Sequence, residues 1–96
     1  MPLDIYLFKN HEPKKFLGSV NIENSAVWEV IWEKLSEASA LSIDPYGTTR
    51  LYANHVSTLL RILNNFYQSE STVLQLREIL EPINLGKNDC VLFEGD

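Results

Sequence analysis

Residues 51–67 constrain this chain more than any other stretch. On a helical wheel Leu51, Tyr52, Val56, Leu59, Leu60, Ile62, Leu63, Phe66 and Tyr67 fill roughly half the circumference, wider than the apolar stripe of an ordinary surface helix. A helix of that kind has to be covered from two sides, so the other segments are expected to pack around it. It is expected to run from about Tyr52 to Gln68, followed by a polar break at Ser69 to Thr72 that caps the next helix. The chain has 96 residues, which fits one domain over 1–96 with a single core.

The segments on either side supply that cover. Leu3, Ile5 and Leu7 alternate with Asp4, Tyr6 and Phe8, the period of a strand. After a polar turn at Asn10 to Pro13, Lys15 to Ile22 reads as a second strand with Phe16, Gly18, Val20 and Ile22 on one face and Leu17, Ser19 and Asn21 on the other, completing an antiparallel hairpin. Asn24 or Ser25 can cap a helix over Ala26 to Ala40, whose apolar face holds Val27, Trp28, Ile31, Trp32, Leu35 and Ala38. Around Pro45, Tyr46 and Gly47 two local structures compete. Asp44 and Pro45 can open a helical turn, or Leu41 and Ile43 can pair with Thr49 and Leu51 as a hairpin. The hairpin is favoured because Thr48 and Thr49 are poor helix formers. A third helix is expected over Val73 to Glu81, ended by Pro82, and then a turn through Gly86 and a short strand from Cys90 to Phe93. The sum is an α+β domain, three helices packed on a small, mostly antiparallel sheet.

Thirteen acidic against eight basic residues leave a net charge of −5. That balance argues against a nucleic-acid partner, since grip on phosphates needs clustered Lys and Arg. One cysteine, Cys90, forbids an internal disulfide and suits a reducing compartment. No apolar run approaches the ~20 residues of a membrane span, and no charged-then-apolar leader is present. A cytoplasmic location without membrane attachment is therefore expected.

Residues Ile43-Asp44-Pro45-Tyr46-Gly47-Thr48-Thr49, the leucine-rich helix after them, and Leu92-Phe93-Glu94-Gly95-Asp96 carry a resemblance. Together they resemble a group of small, uncharacterised bacterial proteins in which an Asp-Pro-Tyr-Gly turn precedes a helix and an apolar strand ends in Gly-Asp. The resemblance covers Ala40 to Tyr67 and the last six or so residues. Members of the group usually have Asp where this chain has Thr48, and often Gln where it has His55. Such proteins are associated with immunity to toxins; the resemblance implies no established activity, and it brings no catalytic residue with it.

The polar constellations point the same way. His55 lies at the edge of the apolar arc, with no nucleophile motif around it to serve as a base. A hydrogen-bonded structural histidine is expected there. His11 and Glu12 are adjacent in a turn, a spacing that does not converge on a metal, and no metal or cofactor is expected. Asp89 raises rather than lowers the pKa of a neighbouring thiol, so Cys90 is expected to be buried and inert. Asp44, Tyr46 and Asp96 come together if the turn meets the last strand, and could then hold a cation or a basic side chain.

Glu29, Glu33 and Glu37 form a ridge about 12 Å long, with Glu23 nearby, suited to several Lys or Arg of a basic protein. Partner binding is thus expected at Glu29, Glu33, Glu37, Asp44 and Tyr46. The function expected is non-enzymatic protein binding, such as neutralisation of a basic toxin. Two alternatives remain, a small enzyme or ligand-binding domain around Tyr46 and His55, and a homo-oligomer joined through Trp28 and Trp32.

Overall fold

In a computed structural model of the chain, residues 2–9, 12–21, 26–39, 47–65 and 71–95 are described. In order they form β1 (Pro2–Phe8), β2 (Lys15–Asn21), α1 (Ala26–Ser39), β3 (Thr48–Tyr52), α2 (Ala53–Asn64), α3 (Ser71–Leu80) and β4 (Cys90–Glu94). The strands lie in the order β2-β1-β4-β3, and every pairing is antiparallel. β4, last in the chain, is inserted between β1 and β3. Its Val91 and Phe93 are therefore flanked by a strand on each side, as the near-continuous apolar run Cys90 to Phe93 suits. The fold is α+β.

All three helices cover one face of this sheet. Leu3, Ile5, Val20, Leu51, Val91 and Phe93 point to that face and share one buried cluster with Trp28, Ile31 and Leu35 of α1. Val56, Leu59 and Leu63 of α2, and Val73, Leu76 and Leu80 of α3, complete it. The ring of Trp32 stacks on Phe93 at 5.5 Å and lies 4.1 Å from that of Trp28, which fastens α1 to the sheet. The radius of gyration, 12.4 Å, is that of a compact chain of this length, about 12.5 Å.

Several local expectations change. Phe16 does not share the covered face with Gly18 and Val20. The β1–β2 register pairs Ile5 with Gly18 but Tyr6 with Phe16, so Leu17 is an extra residue, a β-bulge that reverses the alternation. Leu17 packs against the core, and Phe16, 55% exposed, sits on the opposite face beside Tyr6, edge-on at 5.4 Å. Ala38 is exposed although its spacing put it on the apolar face of α1. Tyr52 ends β3 instead of lying in the central helix and is 40% exposed, while Leu51 reaches the core from the strand. α3 begins two residues early, at Ser71, and takes Thr72 into its buried side.

Thr48 to Leu51 is strand, as the hairpin alternative expects, and it pairs with β4. Leu41 and Ile43 lie outside the described residues, as do Asn10, His11, Asn24, Ser25, Phe66, Tyr67 and Gln68.

Candidate partner-binding surface

The outer side of α1 follows directly from its spacing. With Trp28, Ile31 and Leu35 turned inward, Glu29, Glu33 and Glu37 all fall on the exposed side, one turn apart. Val30 is exposed among them at 41%, and Lys34 is the helix's one cation. Glu29, in the first turn, suits the positive end of the helix dipole, but the repetition of its charge along the helix is unfavourable. Like charges four residues apart disfavour a helix by roughly 0.2–0.5 kcal/mol per pair. Glu37 also lies near the C-terminus, where the helix dipole disfavours a carboxylate and the last turn has no basic residue. Glu23, Asp44, Tyr46 and Asp96 lie outside the described residues.

Gly47 and Thr48 lie beside the end of the last strand. Thr48 pairs with Glu94 across β3 and β4, and the Gly95 amide donates to the Gly47 carbonyl at 2.9 Å. Gly47 and Gly95 are thus held side by side at the end of the β3–β4 ladder.

His55 is occupied by its own helix. It stands at the third position of α2, where its Nδ1 accepts the Tyr52 backbone N–H at 3.2 Å. A Gln or Glu in this position normally makes the same bond back to the N-cap amide.

Cys90 is 1% exposed. Burial pushes its thiol pKa up; the Arg50 guanidinium lowers it and the Asp89 carboxylate raises it. Asp89 itself closes the preceding turn. Its Oδ2 accepts the Gly86 N–H at 2.9 Å, its own N–H donates to the Gly86 carbonyl at 3.2 Å, and Asn88 takes the left-handed backbone at φ 74°, which Asn tolerates well. Among the described residues no three His, Cys, Asp or Glu side chains come together to hold a metal, and no helix there is long and apolar enough to cross a membrane. Trp28 is 4% exposed and Trp32 half-buried against Phe93, so these rings are engaged within the chain.

Sequence reasoning passed over the other face of the sheet. There Phe16, Tyr6, Leu92 and Arg50 form one row across the four strands, with Phe8, Cys90 and Tyr52 in the next. Lys14 lies over the Tyr6 ring at 4.4 Å and pairs with Glu94 at 3.0 Å, and the Arg50 guanidinium lies over Phe8 at 5.9 Å. The signal was present in β1, whose supposed solvent side reads Asp4, Tyr6, Phe8. Two aromatics in three outward positions are more than a solvated strand face needs.

No family model, no curated protein and no solved structure matches this chain.

Proposed function

We propose that the chain is a non-enzymatic protein-binding module that neutralises a basic partner, as a bacterial immunity protein neutralises its toxin, through the acidic outer side of α1. The observation that carries this reading is the exposed ridge of Glu29, Glu33 and Glu37, which turns three carboxylates one helical turn apart toward solvent, a spacing that several Lys or Arg of a partner can meet. The net charge of −5 favours encounter with a cationic protein over any anionic one. The resemblance of the Asp44 to Thr49 stretch and the closing Gly-Asp to immunity-type proteins points in the same direction. A lone, buried thiol suits the cytoplasm, where such a protein would meet its toxin.

Co-purification with the product of the adjacent gene, followed by a titration of that product, tests the proposal. The expected partner is basic, and the double reversal Glu29→Lys with Glu33→Lys slows association and weakens binding by about tenfold or more at low salt. A partner of like charge, or affinity unchanged by the reversal, overturns it.

A further inference from the structure

The three helices cover the side of the sheet that holds Ile5, Leu51 and Phe93. Leu92 and Cys90, at 6% and 1% exposure, lie on the other side and do not belong to that core cluster. Across the strands Tyr6 and Arg50 flank Leu92, and Phe8 and Tyr52 flank Cys90. Exposed on this face are the Phe16 ring at one edge, the Tyr52 ring at the other, and Arg50, whose guanidinium rests on Phe8 and forms no salt bridge among the described residues.

We infer that this face is a self-association surface on which a second copy of the chain docks, turned over about a two-fold axis that runs along the strands between β1 and β4. The row Phe16, Tyr6, Leu92, Arg50 is complementary to its own reversal. Turning a second sheet over about that axis sets Phe16 of each copy against Arg50 of the other, and Tyr6 against Leu92. Each Phe16 ring thereby receives a cation, an arrangement worth roughly 0.5–2 kcal/mol per pair as it desolvates. An axis across the strands would instead oppose Arg50 to Arg50 and is disfavoured by like charge.

In the next row out, the reversal sets Ser19 against Thr48 and Asp4 against Glu94. Two carboxylates would repel there, but Ser19 donates to Asp4 at 2.6 Å and the Lys14 ammonium pairs with Glu94 at 3.0 Å, so a cation is already in place. With strands about 4.8 Å apart and about 3.3 Å per residue, the face measures on the order of 300 Å². A standard stable interface needs about 800 Å² per partner. The association is accordingly weak and concentration-dependent.

Sedimentation velocity over a concentration series reaching the millimolar range tests this, with three proteins: the native chain, Phe16→Lys, and Phe16→Lys combined with Arg50→Glu. Both positions are exposed, and circular dichroism checks that the variants fold. The native chain is expected to pass from monomer to dimer, and Phe16→Lys, which opposes Lys to Arg50, to weaken dimerisation about tenfold or more. The double variant, which opposes Lys to Glu, is expected to restore it. A native chain that stays monomeric throughout overturns the proposal and gives the face to another occupant. Undiminished association of Phe16→Lys overturns this surface, and failure of the charge swap to restore dimers overturns the axis.

Discussion

His55 shows how much a single residue's role depends on its backbone neighbours. In sequence it is a titratable group on the most apolar helix; in the fold it is the acceptor for an amide that the helix would otherwise leave unpaired. His55→Gln keeps an acceptor of similar reach at the same position and is expected to leave stability nearly unchanged. His55→Ala is expected to cost about 0.5–1.5 kcal/mol. Urea melts of the three proteins check this, and equal stability of the Ala variant would refute the cap. Cys90 makes a different prediction. Its folded pKa is raised, whereas in the unfolded chain the thiol ionises near its ordinary value of about 8.5. As pH climbs past that value the unfolded state loses a proton that the folded state keeps, so stability falls. The decline in urea midpoint between about pH 7 and pH 9.5 is therefore expected to be steeper in the native protein than in Cys90→Ala. The thiol should also react with maleimide only when the protein is unfolded.

At the scale of elements, the helices were legible because their spacing leaves little choice. Trp28, Ile31 and Leu35, and Val56, Leu59 and Leu63, recur at helical period, and each is buried in the core. The strand ends were less so. Tyr52 fits both the arc of a helix and the alternation of a strand, and pairing with Cys90 decided it, a contact between residues 38 positions apart that local periodicity does not contain. The bulge at Leu17 was hidden for the same reason. Strict alternation from Lys15 to Ile22 was a fair expectation, but the register is set by what α3 brings against β2. At Gly18 an added Cβ would lie 3.0 Å from Ile79 Cδ1 and 3.3 Å from its Cγ1, so glycine here lets helix and strand approach. Gly18→Val is expected to cost about 1–3 kcal/mol. The loss should shrink in an Ile79→Val background, a coupling that a double-mutant cycle measures. Independent, additive losses would show that the close approach is not what holds glycine there. The ridge on α1 was legible for the opposite reason, since exposure of Glu29, Glu33 and Glu37 follows from burial of the other side of the same helix.

The whole molecule is two layers with two unlike outer surfaces. The helical layer presents the acidic ridge of α1, and the sheet presents aromatic rings with Arg50 and Lys14 among them. The sheet separates the two, because α1 packs through Trp32 on Phe93, whose side chain points to the covered face. Charges on opposite layers of a molecule with extents of 36 × 25 × 24 Å are farther apart than the Debye length of about 8 Å at physiological salt. Partner binding and self-association should then be separable. Glu29→Lys with Glu33→Lys is expected to weaken capture of a basic partner while leaving the monomer–dimer equilibrium within about twofold, and Phe16→Lys is expected to do the reverse. Measuring both affinities for both variants gives four numbers, and the pattern decides. If the ridge variant also loses dimerisation, the acidic helix takes part in self-association. If Phe16→Lys also loses the basic partner, that partner reaches the sheet, and neutralisation uses the dimer or competes with it.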